Sequence, residues 1–304
     1  MSTQINRAFV DQFQANVWML AQQMNSRLRN TVTVEPVRGE FAFFDQIGQV
    51  DPVEITSRHA DGQITEVPHG RRRLASVPWA MNEIVDRQDT NRMLQDPSSS
   101  YVRAFAAGMA RQMDRTILQG MFATAATGRS GETGVPLPTS QIVPVDYVES
   151  GSNTNSSLTV AKLRRARELL LDAGADENDG GMFIACRQRE INSLLRDTTV
   201  SSADFNTVRA LVNGEVNSFM GFTFVVVSHR AVNPIMQFDS SGNARVAAYC
   251  RTALTFGINE EPFTTVLPDP AKNANNRVIM TAQFGSVRME EERVVDIRCH
   301  PTTF

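Results

Sequence analysis

Four histidines, three cysteines and two lysines are the side chains of this 304-residue chain best suited to attack, ligate or carry a proton. None is placed well for it. Cys186, Cys250 and Cys299 are an odd number at wide spacing, which is neither a disulfide framework nor a zinc pattern and fits folding in a reducing cytosol. Cys186 lies inside the apolar run 182–186, where a thiol acts as an inert packing group. His59 and His69 flank Asp61 at a spacing that matches no zinc template, so solvated turn histidines are the simpler reading. His229, beside Arg230, and His300 have no partner that sequence identifies. The string Gly128-Arg129-Ser130-Gly131 has the wrong spacing for a nucleophile elbow and sits in a polar loop. There is no phosphate loop and no G-x-G-x-x-G after a strand. The residues predict no catalytic group, no cofactor and no metal, and a protein that is not an enzyme.

Two charge clusters remain, Arg71-Arg72-Arg73 and Glu290-Glu291-Glu292. They are either solvated turns or complementary contacts between copies of the chain, since like charges on a protruding loop gain from an opposite surface. Of the 30 basic residues 28 are arginine, the residue suited to bidentate ion pairs at interfaces. The net charge of −3 argues against a dedicated nucleic-acid binder. With 41% apolar residues the chain can bury a real core, and no apolar run approaches the ~18 residues of a membrane span.

The elements that must position these residues follow from periodicity. Phe9, Phe13, Val17, Leu20, Met24 and Leu28 form one stripe of an amphipathic helix, packed on its own domain or serving as an arm on a neighbouring chain. Strand-like alternation follows at 31–34 and 41–44. Segments 53–56 and 74–77 then bracket a long two-stranded excursion with too few apolar residues for a core of its own. Asp96-Pro97 starts a long helix from Tyr101 to Ala126, with Val102, Phe105, Ala106, Met109, Met113, Ile117, Met121 and Phe122 on one face. A polar loop over 127–157 carries one short strand at 142–143. Helices at 158–173, 189–195 and 202–212 alternate with buried strands at 182–186 and 222–227. Pieces at 244–249 and 254–256 lead to closing strands at 277–280, 285–288 and 294–297, joined by polar turns.

This order of elements carries short strings with it: Ile84-Val85-Asp86-Arg87-Gln88-Asp89 before Asp96-Pro97, Ala110-Arg111-Gln112-Met113-Asp114-Arg115, Leu194-Leu195, Asn213-Gly214-Glu215-Val216, Met220-Gly221-Phe222-Thr223 and Gly285-Ser286-Val287-Arg288. Together they resemble the major capsid proteins of tailed bacteriophages over nearly the whole chain. The resemblance implies an α+β protein with the Hong Kong 97-like capsid fold. That fold has an N-arm, an extended E-loop hairpin, a P-domain with a long spine helix and β-strands, and an A-domain with a central sheet flanked by helices. Mapped onto this chain the N-arm is 1–30, the E-loop with flanking strands 31–90, the P-domain 91–157 with its strands at 256–304, and the A-domain 158–255.

The resemblance further implies a virion shell protein that folds in the host cytoplasm and assembles into homo-hexamers and homo-pentamers enclosing phage double-stranded DNA. The expected partners are a portal protein, a separate scaffold protein, cement or decoration proteins and non-specifically packaged DNA, with no membrane. Because the strands begin near residue 40, no room is left for a removable scaffolding segment, which implies an unprocessed or already mature chain. Phe9, Phe13, Arg71, Arg72, Arg73, Glu290, Glu291 and Glu292 are the expected inter-subunit contacts. Some members weld their subunits by isopeptide bonds between an E-loop lysine and a neighbour's asparagine. Residues 45–80 contain neither residue type, so noncovalent contacts are expected here. The competing readings are an encapsulin-like nanocompartment shell and an α/β enzyme with an unrecognised site.

Overall fold

The computed structural model describes residues 23–54, 58, 62, 64–85, 98–149, 151, 154–175, 180–194, 218–229, 233–272 and 275–301. Outside them lie the N-terminal stripe as far as Leu20, including Phe9 and Phe13, the Asp96-Pro97 start and the expected helix at 202–212. The described residues divide between two compact units. The smaller draws on Met1–Asn25, Pro78–Arg111 and Glu260–Gln283, the larger on Ser26–Val77, Gln112–Asn259 and Phe284–Phe304. Each unit is therefore assembled from three separated stretches of the chain.

In the larger unit the strands are β1 (Thr33–Pro36), β2 (Phe41–Ile47), β3 (His69–Ala75), β5 (Ala125–Thr127), β6 (Thr133–Val135), β7 (Ile142–Val143), β8 (Met182–Cys186), β9 (Ser218–Phe219), β10 (Phe222–Val226), β11 (Ala244–Cys250) and β14 (Val294–Cys299). A six-stranded sheet runs in the order β7-β14-β11-β8-β10-β9. Its centre, β8, is wholly apolar and wholly buried, pairing parallel with β10 and antiparallel with β11. Helix α2 (Val160–Asp172) packs on β14, β11 and β7 through a buried face that includes Leu163, Ala166 and Leu170. The Thr159 side chain accepts from the Lys162 amide at its N-terminus. Helix α3 (Gln188–Leu194) follows β8 directly. Burying each such Leu or Ile side chain is worth about 1.5–3 kcal/mol, which is why this sheet carries the main core.

The long helix α1 (Ser98–Phe122, 25 residues) is about 38 Å at 1.5 Å per residue. Met109, Met113, Ile117 and Met121 are buried as the stripe predicts, Leu118 is buried beside them, and Ala106 is exposed. The helix ends four residues short of Ala126, because residues 125–127 leave it to pair with β3. Further differences share one cause: pairing extends or reassigns what local pattern suggested. The limb that pairs with β3 is β2, antiparallel from Phe41↔Ala75 to Ile47↔His69; of the expected limb 53–56, residues 55 and 56 lie outside the described residues. Residues 277–280 and 285–288 are parts of one strand, β13 (Asn275–Arg288), in which Thr281 and Gln283 alternate with buried Met280, Ala282 and Phe284. What looked like a polar turn is the less buried face of a strand. The piece at 254–256 grows into β12 (Leu254–Asp269), and β14 pairs with β11 and β7 in the six-stranded sheet. In the smaller unit β12 and β13 continue, and β13 pairs with β4 (Val77–Val85).

Candidate inter-subunit surface

The β2–β3 hairpin forms a four-stranded antiparallel sheet in the order β2-β3-β5-β6, with β2 at its edge. Its two faces differ. Leu74 is buried with Val37, Ala125 and Val287, and Ala42, Phe44 and Met289 pack against that cluster. The opposite face presents Phe41, Phe43 and Ile47, which remain 42%, 44% and 73% exposed. Arginines from the partner strand cover this row: the Arg73 guanidinium lies 4.9 Å from the Phe41 ring centre and that of Arg71 5.6 Å from Phe43. Arg71 also pairs with Asp45 at 2.6 Å and holds its carboxyl below the usual range. Beyond the hairpin, Val53 is half exposed and Ile64 almost fully exposed. An apolar row along an edge strand, capped by arginines, is a surface that can exclude water against a partner.

The expected contact residues are used differently from one another. Arg72 is buried and pairs with Glu291 of the same chain at 2.6 Å, so the two charge clusters meet within one chain. Glu290 pairs with Arg293 at 2.8 Å, and Glu292 is exposed. Arg73 donates to the Ser130 carbonyl at 3.1 Å. Leu74 is covered by its own chain, whereas Val53 and Val77 are exposed. The alternation of Phe41, Phe43 and Ile47 was visible in sequence, but its outward direction was not.

Sequence reasoning also missed two buried charges. Asp114, fully buried on α1, accepts from the Ser26 hydroxyl at 2.5 Å and from the amides of Arg27 and Leu28 at 3.1 Å. These bonds hold residues 26–28 in an irregular path and explain why the N-terminal stripe is not helical as far as Leu28. A carboxylate at i−3 and i−7 from buried Ile117 and Met121 was the available signal. Lys162 is fully buried, and its ammonium lies within 2.8–3.1 Å of the carbonyls of Val145, Ser156, Ser157 and Arg298. Burial lowers its proton affinity.

No reaction centre is formed among the described residues. Burial raises the Cys186 thiol well above its ordinary value and pushes Cys299 up to about 12, so neither is a nucleophile at neutral pH. Among the described residues no group of three or more His, Cys, Asp or Glu could hold a metal ion. His59 lies outside the described residues, and His69 is exposed at the start of β3. A family model described as phage capsid protein matches residues 5–300. The chain belongs to the phage capsid protein family. It is a structural shell protein of the virion, and the enzyme alternative falls with that assignment. No curated protein sequence matches this capsid protein. Among solved structures, it is similar to the capsid of cyanophage Pam1, at 13% identity and TM-score 0.70 over 100% of this chain and 99% of that one. It is similar to the capsid of cyanophage P-SCSP1u at 14% identity and TM-score 0.69, over 99% and 95%. The capsid of Ralstonia phage GP4 gives 12% and 0.67, over 97% and 98%. The capsid protein thus has the α+β, Hong Kong 97-like capsid fold.

Proposed function

We propose that this capsid protein assembles as hexamers and pentamers into an icosahedral shell around double-stranded phage DNA, with the outer face of the β2–β3 hairpin lying against a neighbouring copy. The observation that carries the reading is the exposed Phe41, Phe43 and Ile47 row on a hairpin whose other face is packed. The six-stranded sheet with α2 and α3 corresponds to the axial A-domain, and α1 is the spine helix. A portal protein, a separate scaffold protein and cement proteins complete the partners of such a shell. Contact with DNA is non-specific, because a net charge of −3 cannot support steep salt-dependent affinity.

Changing Phe43 and Ile47 to Asp tests the hairpin contact. Both side chains leave the chain's own core untouched, so the double variant is expected to fold. It forfeits roughly 1.5–3 kcal/mol per apolar side chain at each contact. The yield of shells seen by electron microscopy should fall at least about tenfold, since each 1.4 kcal/mol is a factor of ten in association. Normal shells at normal yield would reject the contact. Reversing all three arginines is a poor test, because Arg72 belongs to the interior.

The shell is held without covalent links. Residues 45–80 carry neither Lys nor Asn, and the Lys162 ammonium is enclosed by backbone carbonyls. Arginine cannot substitute, since its guanidinium stays protonated. Mature particles boiled in detergent should run as one band at 33.7 kDa. A ladder that survives reductant would contradict this.

A further inference from the structure

We propose that Glu291 is a positioning residue that locks the hairpin to the C-terminal end of α1. The proposal goes beyond the assembly reading, because it concerns the chain before any contact with a second copy. The geometry is a chain of contacts through residues 288–291. Arg288, fully buried, donates to the carbonyls of Met121 and Ala123 at 2.8 Å, closing the last turn of α1, and to that of Val135 on β6 at 2.9 Å. Its Nε lies 3.6 Å from Glu291 Oε1. The other oxygen of Glu291 accepts from Arg72 on β3 at 2.6 Å. Between them, the Met289 carbonyl accepts from Arg72 Nε at 3.1 Å and from Gln46 Nε2 on β2 at 2.8 Å. Both strands of the hairpin are thus tied to the segment that clasps the helix end.

One carboxylate stands between two guanidiniums of low exposure. Among the described residues, Glu291 Oε1, Arg288 Nε and Arg72 Nη1 have no hydrogen-bond partner. The charge of Glu291 offsets the repulsion between the two arginines, which without it face each other in a place that water reaches poorly. The apolar anchor at Ala42 and Leu74 lies nearer the hairpin root, so losing the carboxylate frees the next step outward, at Phe44, Gln46, Gly70 and Arg72. That step sets the direction of the Phe43 and Ile47 row.

Hydrogen exchange of the full, unassembled chain tests this. In Glu291→Gln the amides of residues 44–47 and 69–72 should exchange about tenfold faster, while those of β8 and β11 keep their protection. Glu292→Gln, next to it and exposed, should change neither. If Glu291→Gln does not fold, Arg72→Gln breaks the same contact from the hairpin side. It should loosen the same amides and leave residues 116–122 of α1 protected. Unchanged hairpin exchange, or a rise shared equally by β8 and β11, would overturn the proposal, the latter showing a general stability role only.

Discussion

Asp114→Ala is expected to destabilise the capsid protein by about 3–5 kcal/mol, a large share of the ~5–15 kcal/mol that holds a folded domain together. The carboxylate is the acceptor for one hydroxyl and two backbone amides of residues 26–28, and alanine fills neither the space nor the bonds. Hydrogen bonds to a charged group contribute about 1.5–3 kcal/mol each, and buried donors left without acceptors cost further. The midpoint of thermal unfolding should fall by roughly 10 °C. Asp114→Asn keeps one acceptor oxygen and should fall between the two. A variant with alanine that melts like the original chain would show that residues 26–28 find other partners.

Lys162→Met should cost a similar amount, about 3–4 kcal/mol, through a different loss. Methionine matches the stem but leaves four carbonyls, from residues 145, 156, 157 and 298, facing an apolar side chain. Proteolysis within residues 144–157 should accelerate as the loop comes away from β14. The pH dependence has a definite sign. Burial lowers the proton affinity of Lys162 below its ordinary 10.5, so between that lowered value and 10.5 the unfolded chain binds more protons than the folded one. The stability of the original chain relative to Lys162→Met should therefore grow as pH rises through that window. Denaturant melts at stepped pH would check it, and a difference that shrinks with pH would contradict the direction of the shift.

The string Gly285-Ser286-Val287-Arg288 shows how far sequence reached and where it stopped. It helped to mark the family, but its residues could not be given work until their neighbours were known. A Cβ at Gly285 would lie 2.1 Å from the Ala75 carbonyl, so only glycine admits the end of β3 there. Ser286 donates to the Thr116 carbonyl of α1, Val287 joins Leu74 in the hairpin core, and Arg288 closes the helix. Gly120 meets the same strand from the helix side: a Cβ there would sit 2.0 Å from Ser286 Oγ. Each role depends on a residue more than a hundred positions away, or on one from a different element, and no local pattern encodes such a distance.

What the sequence by itself determined was what repeats locally. The apolar run 182–186, the stripe along α1 and the helix expected at 158–173 were legible because the pattern of apolar side chains records which face is buried. Element order pointed to the capsid fold, and the family match over residues 5–300 established a structural shell protein. Tertiary structure alone decided the partners of charge. Arg72 and Glu291 were both visible as members of like-charged triplets, read either as solvated turns or as contacts between copies; the fold puts them 2.6 Å apart in one chain. It also buried Lys162 and Asp114 among polar partners, and joined residues 277–288 into one strand. The physical reason is common to all of these. A charge or a polar strand residue is stable wherever a partner satisfies it, and the partner's position is fixed by pairing across the chain, which no single stretch of sequence contains.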